Sequence, residues 1–169
     1  MNQNEMRARL EIHDALMRLS RGADRRDKAL IISAFHPHAR AVYGSFSGSR
    51  EYLAEWLAGP EDGGVRSSVH FLGNELTWFT GETAWCESYY ILKQRFDEER
   101  WPADLTVVGR YLDRFEEQDG AWRIVSRLVV IDQDRVDPVG DQWDDPMKKA
   151  LIKGVRSRAD ASYQVLETP

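Results

Sequence analysis

Between residues 67 and 132 the chain carries four long runs rich in Val, Ile, Tyr, Phe, Trp and Thr: SSVHFLGNELTWF (67–79), TAWCESYYILKQRF (83–96), ADLTVVGRYLDRFEE (103–117) and AWRIVSRLVVID (121–132). That composition suits a pleated, half-buried surface and predicts β-strands. The breaks between the runs are Thr80-Gly81-Glu82, the charged stretch 97–102 and Asp119-Gly120. Asp-Gly between two such runs is a strong hairpin signal. Consecutive strands with tight links make an antiparallel meander. A typical strand has about 5–6 residues, so these are long. A sheet of long strands bends, and its concave side must be filled or used.

Ahead of the meander the period changes from two to that of a helix. In residues 5–21 Met6, Leu10, Ala15, Leu16 and Leu19 form a stripe, with Ile12 beside it and Arg and Glu opposite. Gly22 is expected to stop this helix at its C′ position. A second helix is expected from about 26 to 35, broken by Pro37, then a short strand at 39–44 and a turn at SFSGS. Ser49 is expected to N-cap a third helix over 50–58, followed by a surface loop at 59–64. Helices first and strands afterwards indicate an α+β fold, with the helices packed on one face of the sheet around a pocket.

Beyond the meander, residues 132–145 are acidic, punctuated by Pro and Gly, and aperiodic. Asp145-Pro146 is expected to open a short helix, with Lys148, Lys149, Lys153, Arg156 and Arg158 towards its end. The expected organisation is one domain over residues 1–132. The extension 133–169 is then part of that domain or a contact between subunits.

Composition narrows the functional classes. The 169 residues carry a net charge of −5 without a basic, aromatic-studded patch, which argues against nucleic acid as a partner. The polar N-terminus and the lack of any apolar run of about 18 residues argue against a membrane partner and for a soluble, cytoplasmic protein. The single cysteine, Cys86, reads as a small buried hydrophobe. His36-Pro37-His38 is a tight pair with no third ligand at recognisable spacing. With no phosphate loop, nucleophile elbow or zinc-protease motif either, no cofactor and no metal are expected.

The polar residues that could carry chemistry are found by sorting strand faces. His70, Leu72, Asn74, Leu76 and Trp78 share one side of the first long strand by strict alternation. A histidine among apolar neighbours is either a hydrogen-bonded core residue or a pocket-lining acid or base. Val107, Gly109 and Tyr111 share a side of the third strand, where Gly109 would leave room for a ligand. Arg127 lies with Val125 and Val129 in the fourth strand and wants an anion, from a structural carboxylate or from a substrate. Asp24, in GADRRD, is either the cap of the second helix or a carboxylate at the pocket mouth that orients a histidine.

GADRRD after the first helix, the SVHFLGN strand, the VGRYLDRFEEQDGAWRIVSR hairpin and the order of elements resemble the SnoaL-like division of the nuclear transport factor 2-like superfamily. The resemblance covers residues 5–132. It implies a cone-shaped α+β barrel with a deep apolar cavity. In the family's lyase members an Asp–His pair works in that cavity, and the matching positions are Asp24 and His70; an Arg on the last strand matches Arg127. The family's dehydratases also carry a Tyr shortly before the Asp, which residues 18–23 lack. Tyr43, Tyr89, Tyr90 or Tyr111 would have to substitute. The implied function is a lyase or isomerase acting without a cofactor on a hydrophobic, cyclic small molecule. Asp24, His70 and Arg127 would be catalytic, with Tyr43, Leu72, Asn74, Trp78, Tyr90, Val107 and Tyr111 against the substrate. The alternatives are a ligand-binding module without turnover, or an assembly subunit like the small subunit of ring-hydroxylating dioxygenases. A homodimer or homotrimer is expected, because the long sheet leaves a surface to be covered.

Overall fold

A computed structural model describes residues 2–44, 46–60, 64–96, 103–140 and 145–166. The expected loop at 97–102, residues 61–63 of the loop at 59–64, and residues 141–144 lie outside the described residues.

Helix α1 spans Gln3–Arg25, and the Asn2 side chain accepts the Glu5 N–H at its start. Ala8, Ile12, Ala15, Leu16 and Leu19 are buried along one face, whereas Met6 and Leu10 are exposed. The helix runs through Gly22 and turns off at Arg26, whose φ is 57°. Gly22 therefore serves packing and not termination: a Cβ there would lie 2.8 Å from Ile31 Cγ1 and 3.0 Å from the Asp27 carbonyl oxygen. That close approach seats helix α2, Lys28–Ser33, capped by Asp27 and not by Asp24. The expected second helix is shorter than its apolar run because strand β1, Phe35–Tyr43, begins at its end. Pro37 lies inside β1, where the ladder to the neighbouring strand is interrupted between Phe35 and Arg40, so its missing N–H costs no ladder bond. Part of the expected turn SFSGS is strand β2, Phe46–Gly48. Helix α3, Arg50–Ala58, follows with Ser49 as its N-cap.

The four long strands are β3 (Val65–Thr80), β4 (Thr83–Phe96), β5 (Ala103–Gln118) and β6 (Ala121–Pro138). With β1 and β2 they form a curved six-stranded sheet in the order β2-β1-β6-β5-β4-β3, antiparallel except for β1 against β6. Asp119 and Gly120 both take positive φ (54° and 74°), as a two-residue hairpin turn requires. Strand β6 continues past the expected end at Asp132 because the first half of β5 needs a partner. Acidic composition does not prevent pairing there. Gln133 faces Val108 and Ile131 faces Gly109, which leaves Asp132 as an extra, bulged residue held by Nε and Nη2 of Arg110.

Helices α1–α3 cover one half of the concave face, closing a core that includes Ile12, Leu16, Ile31, Phe35, Leu53, Phe115 and Ile124. The extension departs from expectation. Residues 146–150 form turns and no helix; Met147, Leu151 and Ile152 are exposed, so no apolar face is available to stabilise one. The helix forms later, as α4 (Ala161–Leu166), behind Asp160. Hydrogen bonds from the Ser162 hydroxyl and from the Val155 and Ser162 amides, with Arg25 beside them, hold the Asp160 carboxyl down at about 2. Tyr163 donates to Asp27 Oδ2 (2.8 Å), and Arg158 donates to the same oxygen (2.7 Å). The extension is thus fastened to the corner between α1 and α2. Among the described residues no helix is long and apolar enough to cross a membrane.

Candidate active site

Asp24 is in the last turn of α1 and 8% exposed, and its carboxylate points at β3. Oδ2 accepts the backbone N–H of His70 at 2.9 Å. Oδ1 lies 2.7 Å from His70 Nδ1 and accepts the Ser68 hydroxyl at 2.9 Å. Ser68 and His70 reach the same carboxylate because they are two positions apart on one face of a strand. Gln94 on β4 donates in turn to Ser68 Oγ at 3.4 Å. A carboxylate can only accept, so the imidazole presents Nδ1–H to Asp24, and in the neutral ring the lone pair is then on Nε2.

His70 forms part of the wall of a cavity of about 310 Å³ between the helix ends and the open half of the sheet. Tyr43, Trp56, Leu57, Tyr90, Leu92, Val107, Tyr111 and Val129 supply most of the rest, with Ser68, Gln94 and Arg156 as further polar groups. Such a site, mainly apolar with a few convergent polar groups, suits a small hydrophobic ligand. Tyr90 and Tyr111 stack at 4.2 Å between centroids, 11° from parallel. Gly109 does not leave room for a ligand, as its missing side chain suggested. The space is taken by the Val130 carbonyl oxygen and the Tyr90 hydroxyl, which a Cβ would meet at 2.1 and 2.9 Å.

Arg127 is 3% exposed and forms two bonds to Asp113, at 2.7 and 2.6 Å. Its anion is therefore a structural carboxylate, and Arg127 is not among the cavity's lining residues. It acts on the wall from behind. Its guanidinium carbon lies 3.9 Å from the Tyr111 ring centroid, and Nη1 donates to the Tyr43 hydroxyl at 3.3 Å. Burial raises the pKa of Tyr43 and of Tyr111, with the Arg127 charge opposing it, so both phenols are neutral near pH 7. With its lone pair engaged by Arg127, Tyr43 has its own O–H to give.

Strict alternation fails for the second half of β3. Leu72 pairs with Tyr90 but Glu75 with Ser88, so Gly73 and Asn74 together face Tyr89. This bulge exchanges the two faces of the strand. Asn74 and Trp78 accordingly stand on the outer side, Trp78 51% exposed, and neither lines the cavity. Thr77 is buried in their place, and Leu72 packs between the two core clusters. The remaining candidates fall elsewhere. His13 pairs with Glu75, and His36 Nδ1 accepts the His38 N–H. Burial pushes the Cys86 thiol up to about 12, which fits an inert core residue. Among the described residues no group of three His, Cys, Asp or Glu side chains is placed to hold a metal.

Sequence reasoning missed Ser68, Gln94, Trp56 and Arg156. Ser68 was within reach of it, since it shares the face of His70. Arg156 was not, because only the docking of the extension brings it to the cavity.

No curated protein matches the chain in sequence. Among solved structures the fold is similar to that of a hexachlorocyclohexane dehydrochlorinase (15% identity, TM-score 0.69, covering 81% of this chain and 92% of that one). It is also similar to a scytalone-dehydratase-like protein from Novosphingobium aromaticivorans (20%, 0.64, 82% and 95%). A third is a Mycobacterium tuberculosis protein of unknown function (21%, 0.61, 90% and 84%). At these identities the likeness is one of fold. Residues 4–128 match the SnoaL-like domain; with that match over most of its length and the curved sheet closed by N-terminal helices, the chain belongs to the SnoaL-like family of the nuclear transport factor 2-like superfamily.

Proposed function

We propose that this protein is a lyase or isomerase that removes a proton from carbon in a hydrophobic, cyclic small molecule, with His70 as the base. The observation that carries the reading is the 2.7 Å contact between Asp24 Oδ1 and His70 Nδ1 at the wall of an apolar cavity. In the scheme His70 Nε2 takes the proton, and Asp24 compensates the imidazolium charge and holds the ring in place. The Tyr43 O–H, backed by Arg127, donates to the departing group or to the oxyanion that develops. Tyr43 thereby fills the role of the tyrosine absent ahead of Asp24. General base catalysis supplies about 10²–10⁴-fold, and orientation in a dry cavity supplies the remainder. The reaction needs only side chains of this chain. The similar structures named for a dehydrochlorinase and a dehydratase support elimination as the reaction class.

The test is a panel of alicyclic and aromatic ketones, alcohols and halides incubated in D₂O, read for elimination, isomerisation or carbon-bound deuterium. Exchange or product that depends on both His70 and Asp24 is the expected result. A ligand retained equally by wild type and His70→Ala, with no exchange in either, would make the chain a binding module.

A further inference from the structure

Arg156 is the only Arg or Lys among the described residues that line the cavity. Its three hydrogen bonds all go to uncharged carbonyls: Nη2 to Leu57 (2.9 Å) and Ala23 (3.3 Å), and Nη1 to Ala58 (3.3 Å). A guanidinium has five N–H groups. Three are spent here, the buried Nε has no acceptor, and one Nη1 hydrogen is unspent in a residue that forms the cavity wall. Other arginines have a carboxylate partner: Arg25 pairs with Asp160, Arg158 with Asp27, and the buried Arg127 with Asp113. Among the described residues no carboxylate pairs with Arg156. Burial lowers its pKa and the nearby Arg26 charge does so further, while Asp24 opposes them. Asp24 acts on this partly buried cation only at a distance, and every hydrogen bond it makes goes to a dipole, so the cation lacks a directly paired counter-charge.

The backbone around it is fixed. Val155 N–H donates to Asp160 Oδ2 at 2.9 Å and Arg158 donates to Asp27, which locate this part of the chain, and the three carbonyl bonds orient the guanidinium itself. Preorganisation of this kind lowers the cost of recognising a planar anion.

We infer that the cavity takes a hydrophobic molecule bearing a carboxylate, and that Arg156 receives that carboxylate while the apolar wall holds the ring. The inference rests on the reading of this cavity as the ligand site but not on turnover. Capping of two helix ends would explain the three carbonyl bonds, yet it would not distinguish an acid from a neutral isostere.

The probes are 1-naphthoate and 1-naphthamide, of nearly equal shape, titrated calorimetrically against the full chain at neutral pH. Wild type should bind the acid at least about tenfold more tightly than the amide, because a charge-assisted, guanidinium-held carboxylate outweighs a neutral hydrogen bond. Arg156→Met should abolish that preference and leave the amide's affinity within about threefold. Arg156→Gln retains hydrogen-bonding capacity toward the helix ends and should abolish it equally, which keeps the test open if the Met variant does not fold. Equal affinities in wild type, binding of neither probe, or a preference that survives both substitutions would overturn the inference. If it fails while His70→Ala and Asp24→Asn still lose turnover, the catalytic reading stands. If the acid preference holds and no turnover depends on His70, the catalytic reading fails and this one remains.

Discussion

Asp24 grips His70 twice, through the backbone N–H at 2.9 Å and through Nδ1 at 2.7 Å, so one carboxylate fixes both the strand and the ring. The two residues are 46 positions apart in the chain. They are expected to behave as a unit. Asp24→Asn and His70→Ala should each lower kcat by about 10²–10⁴-fold, and the double variant should lose little more than the worse single one. Steady-state kinetics on any substrate found in the deuterium screen measures this, and additive losses would mean that the residues act independently.

Tyr43→Phe removes the hydroxyl that Arg127 supports and should lower kcat by about 10–10³-fold with little change in KM. An equal rise in KM with kcat unchanged would assign the hydroxyl to ground-state binding only.

Arg127→Met leaves Asp113, 0% exposed, without its partner. Breaking a buried pair in this way costs about 3–5 kcal/mol. Urea unfolding should register that loss, and Asp113→Leu in the same chain should recover part of it. A loss below about 1 kcal/mol would show that the carboxyl finds another partner.

Cys86 should resist a disulfide reagent at pH 8 in the folded protein and react at once in denaturant. Its pKa is raised from an ordinary 9 to about 12, chiefly by burial. The thiol's contribution to stability is therefore complete below about pH 9 and is lost as the pH rises towards 12. Reaction of the native thiol at pH 8 would contradict this placement.

The outer face of β3 and β4 carries exposed Phe71, Trp78, Trp85 and Ile91, with Trp78 directly opposite Trp85 and Phe71 opposite Ile91. We propose that copies of the chain cover this face as a dimer or trimer. Light scattering should then give a multiple of 19.5 kDa, and Trp85→Lys should reduce it. A wild-type monomer at micromolar concentration would exclude the assembly.

Alternation, turn chemistry and caps are local, and they determined most of the fold. The strand Thr83–Phe96, the Asp119-Gly120 hairpin, the Ser49 cap and the helix Arg50–Ala58 could all be read without any partner in view. Tertiary structure decided whatever depended on a distant neighbour. Gly22 could not be known as a packing contact until Ile31 lay against it. Two β3 residues opposite Tyr89 moved Asn74 and Trp78 to the outer face, and a bulge has no period by which to announce itself. Arg127 wanted an anion on any reading, but only the register of β5 against β6 chose Asp113 opposite it. Arg156 reached the cavity because Asp27 and Asp160 hold an extension whose sequence has no apolar rhythm, and charged contacts between remote residues leave no such rhythm to find.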